Sequence, residues 1–274
     1  MKNPREIAKQ YKVVFVGPVR DCANHLLSVF NNIKTIGELF RDYSCVFVEN
    51  DSIDNSMEIL SKSNEILRNV NIISLGKLSE RIHSRTMRIA TARNAGVIFC
   101  EENGLFDTHE YYISINMDNA NSDPINEEDF LSCFKYDVDS WGMMTANQTN
   151  YYDIWCLRCK DWVEDDCWYK IHNKPSFMSY EEAHKIHVRS KFLQIPKDYG
   201  LIEVDAAYGG LSLCKSLLVK GSRHRGVNEN QTAEECDLVN FCTDIKKKGG
   251  KIFINSELMN MNNIVNEHDV PFMG

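Results

Sequence analysis

The chain has 274 residues, 43% of them hydrophobic, and its 31 Lys+Arg against 39 Asp+Glu leave a formal charge of -8 at pH 7. That apolar mass fills a folded core and excludes a disordered chain, while the acidic balance excludes nucleic acid as the main partner, because phosphate-backbone binders display a basic face. No window comes near the ~20 apolar residues of a membrane span and the polar N-terminus has no signal-peptide core, so a cytoplasmic protein without a membrane span is expected.

In chain order, residues 12–16 (KVVFV) are a β-branched, aromatic run that stops at Gly17-Pro18, a strand followed by a turn. Helical spacing follows from about residue 22 through Leu26, Leu27, Phe30 and Ile33. A strand over 45–48, a helix over 54–68, a strand over 70–74, a helix over 85–100 and a strand over 111–115 come next. This alternation with short connections predicts an α/β fold with a mostly parallel central sheet covered on both faces. Further on, 141–146 and 202–213 read as strands, 233–248 as a helix and 251–254 as a closing strand. The stretch 147–174 is dense in aromatics, including Tyr151, Tyr152, Trp155 and Trp162, which pack a core or line a pocket for a sugar or base. No repeat or low-complexity linker interrupts the chain, and one domain over 1–274 is expected.

Ten cysteines without an export signal read as reduced thiols packed as small hydrophobes. Cys156, Cys159, Cys167 and His172 form C-x2-C-x7-C-x4-H, whose spacing matches no zinc motif.

Parallel sheets bind ligands beyond the carboxyl ends of their strands. Three polar clusters fall there, around Gly17 to Asp21, Glu49 to Ser52 and Asn116 to Asn119. The carboxylate of Asp118 and the amide oxygen of Asn116 could hold a hard divalent cation together with substrate phosphates. Arg85, Arg88 and Arg93 on one predicted helix add a cationic face, at least for the first two, and the whole set suits a diphosphate.

Six stretches then occur in order: Val16 to Asp21; Val48 to Ser56, with E-N-D-S-x-D-x-S; Arg88 to Asn94; Ile115 to Asp118; Tyr151 to Arg158, with Y-Y-D-x-W-x-L-R; and Tyr208 to Leu211. In this order and spacing the chain, from about residue 12 to about residue 255, resembles the GT-A fold nucleotide-sugar glycosyltransferases, in the group of the capsule-associated mannosyltransferases and related viral and bacterial enzymes.

The resemblance implies a single Rossmann-like GT-A domain, with the nucleotide bound by about 12–120 and the acceptor by about 121–274. It implies transfer of a sugar from a UDP- or GDP-sugar donor to a hydroxyl of a glycan acceptor, with Mn2+ or Mg2+ as cofactor. Donor contacts would come from Gly17, Pro18 and Arg20, from Glu49, Asn50 and Asp51, from Arg88, Arg93 and Asn94, and from Asn116. Asp118 would carry the metal, with His268 as a C-terminal ligand. Tyr152, Trp155, Gly209 and Gly210 would meet the acceptor. If the anomeric centre inverts, a carboxylate takes the acceptor proton, and Asp237, Glu235 and Asp153 are the candidates in that order. Two departures stand out: Asn116 occupies the first position of the D-x-D motif, and Leu238 replaces a histidine after Glu235-Cys236-Asp237. They motivate an alternative, a catalytically degenerate nucleotide-sugar or glycan-binding protein. A sugar nucleotidyltransferase is the further alternative, although the glycine-rich phosphate loop of that class is missing after the first strand.

Overall fold

The computed structural model describes residues 3–261. Its eight strands are β1 (Lys12–Val19), β2 (Asp42–Glu49), β3 (Val70–Ser74), β4 (Tyr111–Ile115), β5 (Met143–Gln148), β6 (Leu201–Val204), β7 (Leu211–Lys215) and β8 (Ile252–Met261). They form one sheet in the order β3-β2-β1-β4-β7-β5-β8-β6. The first four are parallel; β7 runs against both β4 and β5, so β5 and its parallel neighbour β8 point with the first four, and β6 runs against β8. The sheet is thus mostly parallel, as the sequence predicts.

Alternation along the strands supplies both faces. Val14 and Val16 of β1 join one core with Val46, Val48 and Phe241, while Val13 and Phe15 join the other with Phe30, Ile33 and Phe47. The helix Ala23–Gly37 covers the second face through Leu26, Val29, Phe30 and Ile33. The helices Arg85–Glu102 and Asp237–Lys247 cover the first. All ten cysteines are free and buried.

The helix Arg85–Glu102 lies close to β1 because Gly96 has no side chain: a Cβ there would stand 2.4 Å from Val16 Cγ1. Gly96→Val is therefore expected to destabilise the protein by about 1–3 kcal/mol through overpacking, read as a lower urea midpoint.

Several boundaries differ from the sequence expectation. The helix over 54–68 shortens to Ser56–Ser61 followed by a 3-10 turn at Ser63–Glu65. Asp54 is spent outside it, accepting the backbone N–H groups of Ala23 at 3.0 Å and Ser56 at 2.9 Å. The single strand over 202–213 is two strands, because Gly209 (φ 65°) and Gly210 (φ 86°) turn the chain through the left-handed region. This sends β7 between β4 and β5 and leaves β6 on the edge. β8 is longer than 251–254 and lies inside the sheet, so it does not close it.

Candidate functional site

At the carboxyl ends of β1, β2 and β4 lies a cleft of about 230 Å3. The turn after β1 contributes Pro18 and Arg20, and the end of β2 contributes Asn50. From β4 come Asn116 and Asp118, and the first turns of the helix Arg85–Glu102 bring Arg85, Arg88 and Arg93. Ser84 starts that helix by accepting from Met87 N–H at 3.2 Å, so the positive end of its dipole also meets the cleft.

Arg93 is the best-anchored of these cations. It is only 5% exposed, and its Nη2 donates to Asn116 Oδ1 at 3.0 Å. Its Nε lies 3.5 Å from Asp237 Oδ2, and its guanidinium stands 4.8 Å from the centre of the Tyr208 ring. Behind Asp237, His224 Nδ1 is 2.9 Å from the same carboxylate oxygen, and the imidazole stacks flat on Phe241 at 4.2 Å. Burial by itself would raise the Asp237 carboxyl, but the Arg93 charge and the close approach of His224 outweigh it and hold it below its ordinary value. Burial holds the His224 imidazole below its usual 6.5. The set is therefore an ion pair braced by a neutral histidine.

That arrangement fixes a sign. A buried histidine with a depressed pKa takes up its proton more readily unfolded, so its stability contribution is complete above the unfolded value and is lost as pH falls toward the folded one. Asp237 acts in the same direction at lower pH, while the raised carboxyls of Asp118, Asp153 and Glu235 oppose it. The expected result is that His224→Asn makes the urea midpoint less sensitive to acidification between about pH 7 and 5 than it is in the unaltered protein.

Burial raises the Asp118 carboxyl, partly offset by the Ala120 N–H at 3.1 Å and by the charges of His25 and Arg93. Among the described residues no group of three or more His, Cys, Asp or Glu side chains is placed to hold a metal ion. The donor set is instead one carboxylate beside an amide oxygen already engaged by Arg93. A magnesium- or manganese-type ion accepts such a site when substrate phosphates complete its shell, so Asp118 fits the role.

Other sequence candidates do not line the cleft and are engaged by other parts of the chain. Gly17 lets the β4 end approach β1, since a Cβ there would meet Met117 Sδ at 2.6 Å. Glu49 accepts from Ser52 N–H at 3.0 Å and Ser74 Oγ at 2.9 Å. Asp51, at φ 58°, accepts from the N–H and hydroxyl of Ser79, at 3.0 and 2.7 Å. Asn94 exchanges a pair of 2.8 Å hydrogen bonds with the backbone of His224. Asp153 accepts from Gly209 N–H at 2.9 Å, and Tyr152 is within electrostatic reach of both Asp153 and Asp118. Trp155 turns its indole N–H to Asp166 at 2.9 Å, and Glu235 faces Arg158 at 3.6 Å and accepts from Asn240 at 3.0 Å. His268 lies outside the described residues.

Two features had no sequence signal. His224 belongs to no recognisable motif. A buried amide chain clamps the β4 end to the glycine turn: Asn121 donates to Asn116 O at 2.9 Å and Gly210 O at 2.8 Å, and Asn260 donates to Gly209 O at 2.7 Å. Asn121 reads in sequence only as a turn former. Arg85 lines the cleft beside the donor residues expected from the sequence.

No protein-family model matches the chain, and no curated protein is similar to it in sequence. Solved structures are similar in fold. Mannosyltransferase PcManGT from Pyrobaculum calidifontis, in complex with GDP-Man and Mn2+, has a TM-score of 0.51 at 12% identity, over 93% of this chain and 57% of that one. S. aureus TarS 1–349 in complex with UDP-GlcNAc gives 0.51 at 11% identity, over 96% and 62%. The longer S. aureus TarS gives 0.50 at 10%, over 93% and 37%. The chain thus spans less than two thirds of these proteins' own length. Its fold is the GT-A fold of nucleotide-sugar glycosyltransferases. Among the described residues no helix is long and apolar enough to cross a membrane.

Proposed function

We propose that the protein is a glycosyltransferase that moves a sugar from a UDP- or GDP-sugar to a hydroxyl of a glycan acceptor, with Mn2+ or Mg2+ held at Asp118. The observation that carries this reading is the convergence of Arg20, Arg85, Arg88 and Arg93 on one cleft with Asp118, at the carboxyl ends of parallel strands. The nucleotide-sugar complexes of the two structural neighbours support it.

The difficult step is departure of the diphosphate while positive charge develops at the anomeric carbon. Arg88 and Arg93 face the leaving phosphates with positive charge. A cation at Asp118 supplies further neutralisation of that group when bound. Asp237 holds Arg93 in place and, kept ionised by it, is a weak proton acceptor. For an inverting transfer Asp153 is the better-matched base, because burial raises its carboxyl. A retaining transfer needs no such base.

The test is a screen of UDP- and GDP-sugars for thermal stabilisation with Mn2+ present, since a ligand that binds only the folded state raises its melting temperature. One donor giving a clear shift, followed by release or transfer of its sugar, is the expected outcome. A shift without turnover would favour the degenerate binding protein, and no shift with any donor would refute the reading.

A further inference from the structure

The Gly209-Gly210 turn that leads into β7 is held from several directions at once. Gly209 O accepts from Gln148 Nε2 at 2.5 Å and from Asn260 Nδ2 at 2.7 Å, and Gly210 O accepts from Asn116 N–H and Asn121 Nδ2, each at 2.8 Å. A carbonyl oxygen has two lone pairs, so both oxygens are filled. The donors come from separate parts of the fold: the end of β5, the end of β8, the residue after β4 and the 3-10 turn Asn119–Asn121. They also brace one another, since Asn260 Nδ2 donates to Asn121 Oδ1 at 3.0 Å and Gln148 Nε2 to Asn260 Oδ1 at 3.2 Å. A Cβ at Gly209 would stand 2.6 Å from Ala146 O, so the turn also lies directly against the β5 backbone.

Part of this arrangement is kept at a cost. Gln148, Asn121 and Asn260 are buried, and among the described residues Gln148 Oε1 is a buried acceptor with no hydrogen-bond partner. Such an atom lowers stability, so the amide orientation that serves Gly209 O carries a penalty. What the turn holds in place is Asp153. Gly209 N–H donates to Asp153 Oδ2 at 2.9 Å, while Gly210 O is fixed to the N–H of Asn116, two residues before Asp118. Asp153 is half-buried and within electrostatic reach of Arg93, which lines the cleft. One dipeptide therefore connects the Asp118 strand end to a carboxylate beside the cleft.

On the reading of this cleft as a nucleotide-sugar site, we infer that the Gly209-Gly210 turn fixes Asp153, as the proton acceptor of an inverting transfer, relative to the Asp118 strand end, with Asn260 and Gln148 as the positioning residues that hold the turn. In that step the acceptor oxygen forms its bond to the anomeric carbon, and the bond from that carbon to the diphosphate oxygen breaks with its electron pair staying on the diphosphate. The acceptor's proton passes to the Asp153 carboxylate. A general base works only within hydrogen-bond reach of the proton it takes, and a displacement of about 1 Å can cost on the order of 10²-fold in rate. Neither Asn260 nor Gln148 lines the donor cleft, so their effect falls on turnover and not on nucleotide affinity.

The experiment uses the full chain and the donor selected by the nucleotide-sugar screen, with Mn2+ present and water as the acceptor. NMR of the released sugar gives both rate and anomer, and calorimetry gives the affinity for UDP and GDP. The expected result is an inverted anomer, with Asn260→Ala lowering the hydrolysis kcat by about 10–100-fold while the nucleotide Kd stays within about twofold. In an Asp153→Asn background, which keeps an acceptor for Gly209 N–H, the same substitution is expected to change kcat by less than about twofold, because the group it positions is already disabled. Gln148→Ala is expected to repeat the pattern and serves if Asn260→Ala does not fold. A retained anomer, an unchanged kcat, a loss that adds fully to that of Asp153→Asn, or nucleotide affinity falling in step with kcat would overturn the inference and leave the nucleotide-sugar reading standing. So would failure of both variants to fold, which would make the clamp structural. A donor that binds without turnover, or no binding of any donor, would overturn the inference together with the transferase reading.

Discussion

Asp118→Asn is expected to lower sugar transfer from the productive donor by about 10²–10³-fold and to raise the melting temperature of the protein at the same time. On the proposed function, the loss follows from removing Asp118, the one carboxylate lining the cleft among the described residues, and with it the proposed seat of the divalent ion. The gain follows from burial, which already raises the Asp118 carboxyl, so the charged form is carried at a cost in the empty cleft. Asparagine can keep the bond to Ala120 N–H that starts the 3-10 turn Asn119–Asn121, so the local backbone is preserved. A relief of about 1 kcal/mol corresponds to about 2–4 °C in a chain of this size. Transfer assays and thermal melts on one preparation read both effects. Unchanged transfer would remove Asp118 from the chemistry, and a lower melting temperature would show its charge to be compensated.

Asp237→Asn is expected to act in the opposite way, costing about 3–5 kcal/mol of stability, because it leaves Arg93 as a buried cation without its counter-ion. The geometry makes the loss specific: Arg93 is buried, and its Nε faces the Asp237 carboxylate while Nη2 faces a neutral amide. A urea denaturation series measures it, and nucleotide affinity is expected to fall alongside as Arg93 loses its anchor. An Asp237→Asn protein of undiminished stability but without activity would restore Asp237 to the part of proton acceptor, the first choice from sequence. The two variants together separate a carboxylate that acts on ligand from one that holds an arginine.

This distinction marks the limit of what the linear chain reveals. The motif Glu235-Cys236-Asp237 offers two acidic candidates, and the fold sets Glu235 against Arg158 and Asp237 against Arg93. Their partners come from elsewhere: Arg158 lies more than seventy residues before Glu235, and Arg93 lies further still from Asp237. The same holds for Asn94, whose place in a motif suggests donor contact and whose amide is committed to the His224 backbone. Trp155, read as an acceptor contact, is held through its N–H to Asp166.

The sequence by itself determined the alternation of strands and helices, the direction of most of the sheet, and the three strand ends where polar chemistry collects. These are readable because hydrophobic period and turn chemistry are local properties, set within a few residues. Tertiary structure alone decided that β7 inserts antiparallel between β4 and β5, that the glycine turn is clamped by a buried amide chain, and that Asn116 meets Arg93. Each of these depends on contacts between residues far apart in the chain, whose strength comes from burial and low dielectric, and neither exists until the sheet has formed. The acidic composition and the cationic cleft are reconciled in the same way: net charge is a sum over the surface, while binding responds to the few charges that the fold gathers at one point.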